Sequence, residues 1–252
     1  MTLAVITSIY RPNIRLLKKT FDSLVNQTFK NFTVYVCIDG KDDDVEKIVQ
    51  EYATQLDIKT TINIQNIGLT KSLNKLIESS IEPYVARLDA EDYCHPKRFQ
   101  LQLDQFLNSD DLALCGSNYI SEYAGNSVQH QLPSGDHDIR NRIYVENVFC
   151  HSAVMFKRFS DLNYDSFFKY SQDYELWLRF MKVGRCFNIQ EVLTVRSETP
   201  GISIRKRTVQ HCFFVLAKLK HIKFMLGPSK LFHLMIDVIK IPFYLTMEIF
   251  LR

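Results

Sequence analysis

Over its first 118 residues the chain switches back and forth between two hydrophobic periods, and this alternation limits the fold more than any other feature. Apolar runs of strand length occur at LAVITSIY (3–10), FTVYVCID (32–39), KTTINIQ (59–65), YVARLD (84–89) and LALCGS (112–117). Between them apolar residues recur at helical spacing. Ile14, Leu17, Phe21 and Leu24 form one set, Val45, Ile48, Val49, Tyr52 and Leu56 the next, and Leu69, Leu73, Leu76 and Ile77 a third, with PKRFQLQLDQFL (96–107) as a fourth helix. Alternation of this length predicts an α/β, Rossmann-like, largely parallel doubly wound sheet with helices on both faces. Such sheets bind ligands beyond the carboxyl ends of their strands. Thr7, Ser8, Tyr10, Asp39, Asn66 and the acids after residue 88 are therefore expected on one rim.

After residue 118 the pattern loosens. SEYAGNSVQHQLPSGDHDIRN (121–141) reads as a loop from its Gly, Pro, Ser and Asp content. VFCHSAVMF (148–156) reads as a strand, SQDYELWLRFMKVG (171–184) as a helix closed by Gly184, and VLTVRSETPGISIRKRT (192–208) as a strand running into a basic loop.

The net charge of +3 is unevenly spread: from Ile202 onward nine Lys/Arg face only Asp237 and Glu248, so the preceding residues are mildly acidic. The basic tail is also apolar, in FFVLAKLKHIKFML and LFHLMIDVIKIPFYLTMEIFL. That combination favours an anionic membrane surface as partner and no nucleic acid. Asp237, Lys240, Pro242 and Glu248 interrupt the second run, whereas a span wants about 20 residues with few charges. Helices lying in the interface are expected instead, with Phe213, Leu216, Phe224 and Leu231 as apolar anchors. Six scattered cysteines without a CxxC pair suggest neither a zinc site nor a disulfide framework. The opening MTLAVITSIYRP lacks the charged start of a signal peptide, so a cytoplasmic location is expected.

In EPYVARLDAEDYCHPKRF (82–99) a buried-looking strand ends in three acids, Asp89, Glu91 and Asp92. Carboxylates this close repel unless a cation sits among them, and hard divalent cations take carboxylate oxygens. A solvated acidic turn is the other reading. Asp39 has an alternative as a turn residue in DGKDDD, and Lys71 as a solvated helix lysine. Asp173 has one as a first-turn helix acid after Ser171 as N-cap, and His151 as a buried, satisfied histidine. Glu175 reads as a helix-start acid and Trp177 as core or as the wall of a binding site.

In this order, SIYRP, CIDG, NIGLTKSLN, ARLDAEDYCHPKRF, CHSAVMF and QDYELWLR resemble the motifs of family 2 glycosyltransferases with the GT-A fold, of the bacterial surface-polysaccharide type. The resemblance spans roughly residues 3–200. It implies an inverting, metal-dependent hexosyl- or N-acetylhexosaminyl-transferase using Mn²⁺ or Mg²⁺. The donor would be a nucleotide-sugar of UDP type, and the acceptor a hydroxyl of a saccharide or lipid-linked saccharide in capsule or O-antigen synthesis. The transferase domain would cover 1–204, with a nucleotide-binding half at 1–118 and an acceptor and catalytic half at 119–204, followed by basic amphipathic helices at 205–252. Such an enzyme would sit peripherally on the inner face of the cell membrane.

By the same resemblance Thr7, Ser8, Tyr10 and Asp39 would hold the nucleotide, and Asn66 and Lys71 would flank nucleotide and diphosphate. Asp89, Glu91 and Asp92 match the DxD region as metal ligands, with Glu91 in place of the commoner Asp; Asp89 and Glu91 would also touch the donor. His151 would line the acceptor site and Asp173 would be the catalytic base. Arg196, Arg205, Lys206 and Arg207 flank SETPGIS, either a loop that closes over the diphosphate or the start of the lipid-facing tail.

Other functions on a similar fold ask for different residues. A nicotinamide oxidoreductase wants G-x-G-x-x-G after the first strand, and SIYRPN has no glycine. A sugar nucleotidyltransferase wants a glycine-rich, arginine-bearing loop there. A non-catalytic, membrane-docked nucleotide-binding protein is the remaining rival, and the retained acids speak against it.

Overall fold

The computed structural model describes residues 1–197, 203–225 and 228–250. Four parallel strands, β1 (Leu3–Ile9), β2 (Phe32–Asp39), β3 (Ile58–Asn63) and β4 (Tyr84–Arg87), stand in the order 3-2-1-4. The connecting helices are α1 (Ile14–Val25), α2 (Asp43–Tyr52) and α3 (Leu69–Ser79). Side chains of a strand alternate between faces. In β1, Ala4 and Ile6 join α3 in one buried cluster, while Leu3, Val5 and Ile9 join α1 and α2 in the other. Burial on both faces is why this strand reads as a continuous apolar run. Local signals start the helices: the Asn13 side chain accepts from Leu16 N–H ahead of α1, and Asp42 accepts from Val45 N–H ahead of α2.

The second half of the sheet is mixed. Three-residue β8 (Met155–Lys157) lies antiparallel between β4 and the long β6 (Leu112–Tyr123). Beyond β6 come parallel β9 (Arg185–Ser197) and, at the edge, antiparallel β5 (Tyr93–Cys94). The expected strand over 148–156 is therefore only its last part, because residues 151–153 form a tight 3₁₀ turn. The expected loop over 121–141 is instead the end of β6, a hairpin into β7 (Asn126–His130), and α5 (Asp136–Arg142). The hairpin turns on Ala124 and Gly125, both at positive φ (48° and 84°), as a type I′ turn requires. Between β5 and β6 runs α4 (Arg98–Leu107), and α6 (Gln172–Val183) precedes β9.

The basic tail forms α7 (Ile204–Lys220) and α8 (Pro228–Phe250). Much of its apolar content faces protein: Val215 and Ala217 are buried, and Phe214 packs on Tyr174 with centroids 4.2 Å apart. Phe213, expected as a lipid anchor, packs on Phe168 and Tyr170. The side chain of Phe224 and residues 198–202 of SETPGIS lie outside the described residues. Glu175 is more than a helix-start acid. Fully buried, it pairs with Arg179, Lys220 and His221 and so joins α6 to the end of α7. Burial opposes its ionisation, but hydrogen bonds from His221, Lys220 and Arg179 hold its pKa down to about 2. A buried Lys218–Asp237 pair then holds α8 on α7. Among the described residues no helix is long and apolar enough to cross a membrane.

Candidate active site

At the carboxyl ends of β1, β2 and β4 lies a cleft of about 380 Å³. Ser8, Tyr10, Asp39 and Asn66 line one part of it; Asp89, Glu91, Asp92 and Arg196 line the other. Thr7, one residue before Ser8, points inward, and its hydroxyl donates to the Leu88 carbonyl at 2.9 Å. Asp39 is buried and accepts from Ile67 N–H (2.8 Å), Gly68 N–H (2.9 Å) and Asn63 Nδ2 (2.9 Å). It thereby fixes the turn that carries Asn66, with Gly68 at φ 92° in the left-handed region that suits glycine. A carboxylate has about four acceptor positions, so roughly one is left toward the cleft. Lys71 lines a separate depression of about 300 Å³ with Ser166 and Lys169.

The three acids diverge. Asp89 pairs with the wholly buried Arg87, and its N–H donates to the Ser152 hydroxyl at 2.8 Å. Glu91 sits at φ 82°, which turns its carboxylate to the Asn13 N–H at 2.8 Å. Asp92 is buried and accepts from Ser197 N–H at 2.8 Å. Among the described residues no three acid, histidine or cysteine side chains gather as a metal-binding group. Burial opposes ionisation of Asp89, but Arg87, His151 and Arg196 hold its pKa below the usual range. Burial, and then the charge on Asp89, push Asp92 up to about 7. The two carboxylates thus share a site in which Arg87 pairs directly with Asp89, while the charge of Arg196 only partly offsets the burial of Asp92.

Under the acid turn lies Arg98, also wholly buried. Its guanidinium donates to the carbonyls of Ser152 (2.8 Å), Arg87 (2.9 Å) and Val154 (3.1 Å), and to Gln102 Oε1 (3.1 Å). One side chain therefore locks the end of β4 to the turn carrying His151 and Ser152.

A second cavity, of about 310 Å³, shares Asp89 and Arg196 with the first. Its other walls include Asp173, His151, Asn147, Tyr119 and Phe149. Asp173 is in the first turn of α6, and its Oδ2 accepts from Asn147 Nδ2 at 2.7 Å. Ser171 precedes that helix at φ 53° and makes no side-chain cap; its hydroxyl donates to the Gln210 carbonyl on α7. His151 Nε2 lies 2.7 Å from the Tyr164 hydroxyl. Burial, and next the Arg87 charge, lower the His151 pKa against the pull of Asp89 and Asp173, so the imidazole is neutral near pH 7. The sequence pointed to Asp173 and His151, but not to Asn147, Arg87 or Arg98.

An oxygen-rich cleft at strand ends, opening into a cavity with a carboxylate on its wall, suits transfer of a group between two bound substrates. Residues 4–164 match the sequence profile of glycosyl transferase family 2. The chain belongs to that family. It is 28% identical over 196 residues to the amylovoran biosynthesis glycosyltransferase AmsE of Erwinia amylovora, covering 75% of this chain and 74% of AmsE. It is 29% identical over 177 residues to the O-antigen biosynthesis glycosyltransferase WbnJ of Escherichia coli, covering 68% of each. These relatives make the protein a glycosyltransferase related to enzymes of polysaccharide biosynthesis.

Solved structures share the GT-A fold. The S. aureus TarS fragment in complex with UDP superposes with a TM-score of 0.70 at 16% identity, covering 87% of this chain and 66% of that one. The mannosyltransferase PcManGT of Pyrobaculum calidifontis, in complex with GDP-Man and Mn²⁺, gives 0.66 at 15% identity over 90% and 66%. The chain thus spans just under two thirds of the length of these two structures.

Proposed function

We propose that this protein moves a sugar, with inversion, from a UDP-type nucleotide-sugar to a hydroxyl of a saccharide or lipid-linked saccharide during surface-polysaccharide assembly. The observation that carries this reading is the pair of cavities that share Asp89 and Arg196, with Asp173 in the wall of the second. The nucleotide occupies the cleft of Ser8, Tyr10, Asp39 and Asn66, where the remaining acceptor position on Asp39 meets the imide N–H of a uracil. The diphosphate lies toward Asp89 and Arg196, and the acceptor fills the second cavity. The acceptor O–H proton passes to the Asp173 carboxylate, held in place by Asn147. The freed electron pair forms the bond to the anomeric carbon as the bond to the diphosphate oxygen breaks on the opposite side. A single displacement inverts the centre. Arg196, at the junction of the cavities, offsets charge on the leaving group.

The acid turn fits a hard divalent cation: its donors are oxygens, and Asp92 is driven toward its neutral form beside Asp89. Mg²⁺ and Mn²⁺ need only one or two carboxylates when substrate phosphates complete the shell. Asp89 and Asp92 would hold the ion, with Glu91 committed to the Asn13 N–H. Bound there, such an ion neutralises charge developing on the diphosphate. The ligand must be deprotonated, so Mn²⁺ affinity measured by calorimetry with UDP should rise by up to about tenfold per unit from about pH 6 to about pH 7 and then level off. A flat profile would exclude Asp92 as a ligand.

The reaction reading is tested by thermal shift with UDP-, dTDP- and GDP-sugars, with and without Mn²⁺. A ligand of the native state at about a hundred times its Kd stabilises by roughly 2.7 kcal/mol. A UDP-sugar should stabilise most; no shift with any nucleotide-sugar would overturn the reading.

The tail supports docking on the inner, anionic face of the cell membrane. On α8, Phe232 (60%), Met235 (62%) and Ile239 (66%) are exposed at helical spacing, and Leu216, Leu219 and Ile222 at the α7 end are exposed as well. Arg205, Lys206 and Arg207 are exposed nearby in sequence, each worth about 1 kcal/mol at an anionic surface. The protein should sediment with phosphatidylserine vesicles at low salt and less at high salt. Phe232→Glu with Ile239→Glu should abolish this without disturbing α7; undiminished sedimentation would refute the docking.

A further inference from the structure

Behind the second cavity runs a hydrogen-bond chain that ends on His151 in its wall and that the proposed reaction leaves unused. Asn74, on α3, receives the Tyr164 N–H on Oδ1 at 2.9 Å and donates from Nδ2 to the Tyr164 carbonyl at 2.8 Å. This two-point clamp fixes a residue that belongs to no helix or strand. The Tyr164 ring is buried and meets His151 edge-to-face at 5.6 Å, with its hydroxyl 2.7 Å from Nε2. A buried phenol hydrogen needs an acceptor, and Nε2 is the partner in reach. Burial raises the phenol pKa, so the hydrogen stays on. Nε2 then accepts, and the proton of the neutral ring belongs on Nδ1. Nδ1 makes no hydrogen bond among the described residues, and His151 lines the cavity that holds Asp173.

We propose that Tyr164, clamped by Asn74, is a positioning residue that presents the His151 Nδ1–H to the acceptor sugar, where it donates to an oxygen neighbouring the attacking hydroxyl. The proposal rests on the glycosyl-transfer reading and deepens it. Asp173 takes the proton of one oxygen while His151 donates to the next, so the preferred acceptor carries two vicinal oxygens. About 310 Å³ is at the low end of the range of roughly 300–1,000 Å³ for ligand pockets, which suits one terminal sugar residue.

Nitrogen-15 NMR of the histidine rings in the full chain decides it. His151, assigned by its loss in His151→Gln, should show the Nδ1–H tautomer. Tyr164→Phe keeps the ring and the clamp, so its melting temperature should change little, but the Nδ1–H signature should give way to Nε2–H. An Nε2–H tautomer in the parent, or no change in Tyr164→Phe, overturns the proposal. Asn74→Ala frees Tyr164 and should weaken the same signature if Tyr164→Phe fails to fold. With methyl hexopyranosides as acceptor probes and UDP release as readout, Tyr164→Phe should raise acceptor KM about tenfold and leave donor KM unchanged. An unchanged acceptor KM, or an equal rise in both Michaelis constants, overturns it. The parent reading stands or falls separately: if Asp173→Asn still transfers sugar, that reading fails whichever tautomer His151 adopts.

Discussion

Asp173→Asn should fold normally, bind a UDP-sugar with Mn²⁺ as the parent does, and transfer almost nothing. The substitution keeps the shape of the side chain, and the new amide oxygen can still accept from Asn147 Nδ2, which reaches Oδ2 at 2.7 Å. What it loses is the group that takes the acceptor proton. A positioned general base is worth roughly 10²- to 10⁴-fold, or about 3–5 kcal/mol of barrier. Losing one negative charge from the first turn of α6 should cost only about 0.3–1 kcal/mol of stability. The two effects differ enough in size to be separated by measuring UDP release and melting temperature on the same preparation. Transfer within a few-fold of the parent would place the base elsewhere. Unfolding would make Asp173 a structural cap, and full nucleotide-sugar binding with no transfer by the parent itself would favour a binding protein.

Arg98→Met should be the most destabilising single change at the site. Met fills much the same volume, so the loss is of hydrogen bonds rather than packing. The carbonyls of Ser152, Arg87 and Val154 are left without this donor, and a buried acceptor deprived of its partner costs about 1–3 kcal/mol. Relief from burying the guanidinium offsets part of this; burial already lowers the Arg98 pKa. A net loss of about 3 kcal/mol is expected, or roughly 6–12 °C in Tm for a chain of this size. Urea denaturation checks it, and an unchanged midpoint would show that water replaces the guanidinium.

The first half of the fold was readable because β1, β2 and β4 are buried on both faces and each helix on one, so hydrophobic period and structure coincide. Failure began where that coupling weakens. Ala124-Gly125 makes a hairpin turn without the Asn-Gly or Asp-Gly signal, and β8 is only three residues long. At the site, strand periodicity separates Thr7 from Ser8: one turns inward to the Leu88 carbonyl while the other lines the cleft. Three acids close in sequence do not converge, because Glu91 adopts positive φ and turns to Asn13. Arg87 and Arg98 are cations inside the protein, which no polarity pattern reveals, since their partners are a carboxylate and carbonyls supplied by the folded chain. In the tail, apolar residues between lysines look alike whether they meet lipid or protein, and Phe213 and Phe214 meet protein.

Asp89 and Arg196 are walls of both cavities. Whatever fills one cavity therefore alters the charge and position of side chains that the other must use. Linkage then requires that donor and acceptor change each other's equilibrium affinity by the same factor. The affinities of the two substrates should therefore be coupled, and substitution at either shared residue should perturb both Michaelis constants together.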